Sequence, residues 1–168
     1  MPGLFLFPTE TALLNGILYF GIGHVLYLVA LRGISPLLLS IQEKKLIIRN
    51  LVIWIIFVIF VVAAFIFTVY NPEEQILSIG ALGYGILLIS VTAFAFTKWF
   101  GEHSPLFKLS LILGFSFFFI SDWVIAIKNF RDPSLFSGTS FVGVTYLIGQ
   151  LFIHSALLLG YWLFQKSE

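Results

Sequence analysis

The chain has 168 residues, 60% of them hydrophobic and only 10% charged, with a formal net charge of +1. Soluble domains carry about 25% charge, so an ordinary soluble domain is excluded, and the near-zero net charge gives no footprint for nucleic acid. The absence of cysteine excludes disulfides, thiolate metal sites and a cysteine nucleophile.

Length and composition predict one all-α domain over residues 1–168, a polytopic membrane bundle of about five transmembrane helices. The apolar scrap Pro2 to Phe7 is too short to span, and reads as the end of a helix whose beginning is absent. No Lys or Arg precedes Arg32, so no signal peptide is expected. The first span is predicted at about 11–31. A basic loop follows with Arg32, Lys44, Lys45 and Arg49, and Pro36 to Ile41 inside it is expected to lie along the interface. The second span, 51–70, is uncharged and ends at Asn71-Pro72-Glu73-Glu74, a turn where proline cannot continue a helix. The third and fourth spans are expected at 75–96 and 106–127. Asp132-Pro133 marks the next turn, and a fifth span is expected at 139–164.

Charge bias then sets orientation. With the N-terminus outside, Arg32, Lys44, Lys45, Arg49, Lys98, Lys108 and Lys166 fall on the inner side, and only Lys128 and Arg131 outside. This predicts an integral protein of the cytoplasmic membrane with its C-terminus inside. Small residues four apart, Ala12/Gly16, Ala81/Gly85 and Ser110/Gly114, are expected at close helix contacts. The segments Gly16–His24 and Gly114–Asp122 also match in spacing, a faint sign of an inverted repeat.

The chemistry-bearing residues concentrate between Gly114 and His154. Asp122 is the one carboxylate within a long apolar run. A charge at the bilayer centre costs about 2.5–3.5 kcal/mol on insertion scales, so such a residue normally has a function. Tyr146, Gln150 and His154 follow at i, i+4 and i+8 and are expected to share one helix face. His24 and Tyr84 add two further polar groups at membrane depth, and Glu10 and Asn15 lie near the outer end of the first span. By helix rise, Asp122 is expected in the outer part of its span, about two turns, roughly 10 Å, from the level of His24 and His154. Each group has an ordinary structural role open to it: helix pairing for Asp122, interior hydrogen bonding for the histidines and Gln150, packing for the tyrosines. Together they read as the lining of a cavity.

Phe20-Gly21-Ile22-Gly23-His24-Val25-Leu26-Tyr27, then Phe118-Phe119-Ile120-Ser121-Asp122 with Gly114 before it, then Thr145-Tyr146-Leu147-Ile148-Gly149-Gln150 resemble, in this order, motifs of the YhhN-type lysoplasmalogenases. The resemblance covers most of the chain in a gapped way. It implies a membrane hydrolase, without a cofactor or bound metal, that cleaves the vinyl ether of a lysophospholipid-like substrate to a fatty aldehyde and a glycerophospho-alcohol. It implies that Asp122 is the acidic residue of a Ser-Asp motif and that His24, Tyr27, Tyr146 and Gln150 stand at other motif positions. Taken with the polar groups at membrane depth, the expected site has Asp122, His24 and His154 as catalytic residues and Tyr27, Tyr84, Ser121, Tyr146 and Gln150 in contact with substrate.

The chain departs from the family in one respect. The family has about eight helices, with a Gly-Asp motif on a helix before the Gly-His helix, and this sequence has no second carboxylate at membrane depth. The expectation is a short or divergent member, or a homodimer that restores the site.

Vinyl ether cleavage needs a proton delivered to carbon. A carboxylic acid donates only in its neutral form, and burial disfavours the charged form of a carboxyl group. Asp122 is therefore expected as the general acid, with a histidine as base and Gln150 and Tyr146 orienting oxygen atoms. The phosphate of the head group would be met by Lys128, Arg131 or the inner basic loop. Two other classes remain: a non-catalytic lipid-binding, transport or assembly subunit, and a metal or haem protein liganded by His24 and His154.

Overall fold

A computed structural model describes residues 12–33, 41–100 and 103–165, with side chains described over 15–31, 44–100 and 103–159. It contains five α-helices: α1 (Ala12–Gly33), α2 (Ile41–Thr68), α3 (Gln75–Thr97), α4 (Pro105–Phe130) and α5 (Phe141–Gln165). Single 3₁₀ turns at Pro72–Glu74 and Lys98–Phe100 lead into and out of α3. Four helical stretches are long and apolar enough to cross a membrane, and α1 contributes a shorter apolar stretch, Asn15–Leu31. The fold is an all-α membrane bundle. Glu10 and the interfacial segment 36–40 lie outside the described residues.

Local chemistry sets the helix ends. Asn71 accepts the Glu73 backbone N–H at 3.1 Å, and Pro72 occupies the first position of the 3₁₀ turn. Ser78, fully buried one turn into α3, donates to Asn71 O at 3.1 Å and accepts from Asn71 N at 3.2 Å, so the turn is pinned to the helix it starts. Ser104 caps α4 by accepting from Phe107 N at 3.2 Å, again ahead of a proline. Beyond α4, Asp132 accepts from Ser134 N at 3.0 Å and Ser134 Oγ at 2.5 Å, closing the predicted turn. These bonds from Ser134 hold its carboxyl below the usual carboxylate range.

Two helices run past the apolar spans. α2 begins at Ile41, ten residues before the apolar run at Leu51, and at 28 residues is roughly 42 Å long. α4 continues through Lys128 and Asn129 to Phe130. Hydropathy marks where hydrocarbon begins, whereas a helix ends only where its backbone is capped or broken.

The ends alternate. Phe65 and Val69 near the end of α2 form one cluster with Ala81 of α3 and Phe130 at the end of α4. Leu31 of α1, Ala95 of α3, Phe107 of α4 and Ala156 of α5 belong to a second cluster, which also holds Leu88, Phe115, Phe118 and Ile153. Side chains such as Phe67 and Ile76 point outward, as lipid-facing positions must.

The tightest crossing is between α4 and α5. A Cβ at Gly114 would lie 2.7 Å from Ile153 Cγ1 and 2.9 Å from Ile153 N, and one at Gly149 would lie 3.0 Å from Gly114 O and from Phe118 N. Backbone therefore packs on backbone, which only glycine permits. Seven residues on from Gly114, Ser121 Oγ donates to Val142 O at 3.2 Å and ties the pair together again. Gly16 differs: a Cβ there meets nothing within 4 Å. Gly16 and Gly114, equated by the faint repeat, thus have opposite surroundings, and the repeat does not extend to packing.

Gly114→Val and Gly149→Val are expected to lower stability by about 3 kcal/mol or more, since overpacking a flexible core already costs about 1–3 kcal/mol and here the obstacle is backbone. Gly80→Ala, whose added methyl also meets nothing within 4 Å, is expected to be neutral or stabilising by up to about 1 kcal/mol. Thermal unfolding in detergent measures all three; equal behaviour of Gly114→Val and Gly80→Ala would contradict the crossing.

Candidate active site

An apolar cavity of about 550 Å³ occupies one half of the bundle. Its walls come from the first turns of α1 (Gly16, Ile17, Phe20) and α5 (Val142, Gly143, Tyr146), and from Ala81, Tyr84, Gly85 and Leu88 of α3. Phe65 of α2 and the second half of α4 (Ser121, Asp122, Trp123, Ile125, Ala126, Phe130) complete it. Ser121, Asp122, Tyr84 and Tyr146 supply its polar side chains.

Asp122 is partly buried, and its Oδ2 accepts a hydrogen bond from the Tyr84 hydroxyl across the α3–α4 contact. In lipid a carboxyl group needs such a donor, because no water competes for the role. Tyr84 also brings His24 into the group: the His24 ring lies 5.6 Å from the Tyr84 ring and 5.1 Å from that of Phe118, both edge-on. The expected separation of about two turns between His24 and Asp122 is therefore bridged by one aromatic side chain that touches both.

His24 is almost fully buried, at 1% exposure. Its Nδ1 lies 2.6 Å from Phe20 O. A carbonyl oxygen only accepts, so Nδ1 carries the proton and, in the neutral ring, Nε2 is left as the acceptor. That Nε2 is buried with no hydrogen-bond partner. Buried polar atoms are nearly always paired, so this acceptor is open to a donor such as water, although His24 does not itself line the cavity.

Tyr146 sits at the cavity wall against Phe118, 5.1 Å between rings, and Phe20, 6.4 Å. Gln150 and Tyr27 are hydrogen-bonded to each other one helix turn further along α5. Neither lines the cavity. Ser121 does, but its hydroxyl is engaged with Val142 O.

The structure does not bring His154 to this group. It is exposed on the lipid-facing side of α5, with Nδ1 bonded to its own helix at Gln150 O, 2.7 Å away. Residues four apart on an α-helix are offset by about 40°, so i+8 has turned by about 80° from the starting face. The buried line of α5 is instead Thr145, Gly149, Ile153 and Ala156, which leaves Tyr146 and Gln150 at its flank and turns His154 outward. A site joining His24, His154 and Asp122 is thereby set aside, and among the described residues no group of three or more His, Cys, Asp or Glu side chains could hold a metal ion.

Trp123 is the cavity residue that sequence reasoning missed. It follows Asp122 directly, stacks on Phe119 at 5.4 Å and faces Gly85, where a Cβ would lie 3.8 Å from its ring. The Ala81/Gly85 spacing was the available signal, since a glycine opposite a tryptophan makes room for it.

No curated protein and no solved structure matches the chain. The sequence model of the YhhN family matches residues 3–157. That range includes the Gly-rich helix with His24, the Ser121-Asp122 pair and the Tyr146–Gln150 segment, and it is nearly the whole chain. With the membrane bundle and the arrangement of these residues described, the chain belongs to the YhhN family.

Proposed function

We propose that this protein is a membrane-embedded hydrolase that cleaves the vinyl ether bond of a lysoplasmalogen-type lipid, giving a fatty aldehyde and a glycerophospho-alcohol. The observation that carries the reading is a single carboxyl group, Asp122, at the wall of an apolar cavity, held by Tyr84 beside a buried histidine whose Nε2 is unclaimed. Family membership is compatible with it. The proposed setting is the cytoplasmic membrane, with the N-terminus outside.

In this mechanism the neutral Asp122 carboxyl gives its proton to the β-carbon of the vinyl ether. The π electrons form the new C–H bond, and the α-carbon becomes an oxocarbenium ion. Water adds to that carbon, and its proton passes to His24 Nε2 or back to Asp122. The hemiacetal then collapses: the carbonyl forms, the C–O bond to glycerol breaks, and the glycerol oxygen takes up the proton. Tyr84 holds Oδ2 by donation, so Oδ1 is the oxygen that faces the substrate carbon. The apolar walls hold the alkenyl tail and limit water to what the reaction consumes.

Turnover is read as free aldehyde released in nanodiscs from lysoplasmalogen, with the matching saturated ether lipid as control. Asp122→Asn is expected to lose at least about 10²-fold, the usual range for a positioned general acid, while remaining folded. Full turnover in that variant would remove the assignment.

His24→Gln and Tyr84→Phe are expected to fall by about tenfold or more, each having lost one hydrogen-bonding group at the reacting centre. His154→Ala is expected to match the parent. A loss in His154→Ala equal to that in His24→Gln would contradict the placement of the site. A folded protein that binds the lipid but releases no aldehyde favours the non-catalytic lipid-binding reading, for which the presence of one carboxylate in the cavity is the supporting observation. Aldehyde that appears only in a dimeric preparation favours a homodimer.

A further inference from the structure

The cavity lies in the half of the bundle that holds the starts of α1, α3 and α5 and the ends of α2 and α4. This bears on where a charged head group can sit. Arg49, Lys98 and Lys108 belong to the opposite end, at the start of α2, the end of α3 and the start of α4. From Tyr84 to Lys98 there are fourteen helical steps, roughly 21 Å. A lipid with its reacting bond at Asp122 and its tail in the cavity cannot reach that group with its phosphate.

The cavity end has its own cations. Lys128 lies on α4 at i+7 from Ser121 and i+3 from Ile125, both of which line the cavity, so it continues their stripe to the rim. It stands six steps from Asp122, roughly 9 Å along the axis. The three-carbon glycerol unit between an ether oxygen and a phosphate spans a distance of the same order. Arg131 is the C-terminal cap residue of α4, next to the cavity residue Phe130, and it is exposed. Among the described residues neither cation has an ion pair or side-chain hydrogen bond, although Glu73 and Glu74 stand at the same end in the α2–α3 turn. Phe65, Ala81 and Phe130 line the cavity at that end, and Lys128 and Arg131 stand on either side of Phe130 in the chain.

We propose that Lys128 and Arg131 form the phosphate subsite for a single-tailed phospholipid that enters the cavity from their end and whose ether linkage lies at Asp122. The lipid is then taken from the leaflet on the side of the 71–74 and 131–140 connections. This rests on the hydrolase reading for the identity of the reacting bond, but the subsite itself concerns binding.

The test is therefore a binding measurement on the full chain in nanodiscs. Two non-hydrolysable probes with the same saturated ether tail are compared, a lysophospholipid and a monoalkylglycerol that lacks the phosphate. Binding is followed by tryptophan fluorescence, because Trp123 lines the cavity.

In K128Q/R131Q the lysophospholipid is expected to bind about tenfold more weakly, the size of one charge-assisted contact, with monoalkylglycerol binding unchanged. K44Q/K45Q, at the other end, is expected to bind both as the parent does. Inorganic phosphate is expected not to displace the lysophospholipid, since the tail supplies most of the affinity.

Equal binding of the lysophospholipid by K128Q/R131Q and the parent would overturn the subsite, as would transfer of the loss to K44Q/K45Q. Loss of both probes together in K128Q/R131Q would also overturn it, as damage to the cavity. Discrimination between the probes without aldehyde release from lysoplasmalogen would leave the subsite standing and remove the hydrolase reading.

Discussion

Hydrocarbon cannot hydrogen-bond, and the Asp122–Tyr84 pair is the clearest consequence of that in this protein. A carboxyl group at membrane depth has to be answered by another side chain, and the answer fixes how α3 faces α4. Tyr84 then sets the position of His24 through ring contact, and His24 carries α1 with it. Three helices are thus placed around one polar contact in an otherwise apolar interior.

The same constraint explains how the other polar groups are treated. Thr68, Ser90, Thr145 and Ser155 turn back to carbonyls three or four residues earlier on their own helices, which removes them from consideration as chemical groups. Ser121 spends its hydroxyl on Val142 O and so braces α5. The backbone contact at Gly114 and Gly149 holds α4 and α5 together. Gly16 and Gly143, where an added Cβ would meet nothing within 4 Å, border the cavity. The void and the tight seam are therefore built from the same residue type in different surroundings. Among the described residues His24 Nε2, Arg49 Nε and Asn50 Oδ1 are buried without a hydrogen-bond partner, and of these His24 is the one whose ring packs against Tyr84, the partner of Asp122.

The cavity's position in one half of the bundle divides the charges of the protein into two roles. The cations at the far end follow the bias that orients membrane proteins, and Arg49 there rests 4.2 Å over the Phe100 ring at the membrane edge. The two at the near end, Lys128 and Arg131, flank the cavity residue Phe130 in the chain. A count of charges per loop treats both groups alike, whereas distance along the helices separates them.

The sequence by itself determined the helical membrane bundle and the turns at Asn71-Pro72 and Asp132-Pro133, and it marked His24, Tyr84 and Asp122 as polar groups in apolar runs, because hydropathy, proline and polarity are properties of short stretches. The helix that carries the second span begins ten residues before it, because charge alters hydropathy without ending a helix. It aligned His154 with Tyr146 because spacing of four looks constant in a sequence, while a helix turns by about 40° at each such step. Only the tertiary structure decided that Gly114 meets Gly149, that Gly16 faces a void, that Trp123 fills the space left by Gly85, and that Tyr84 joins His24 to Asp122. Each of these depends on how two helices are rotated against one another, and in a chain whose helices are apolar on nearly every side no periodic pattern records that rotation.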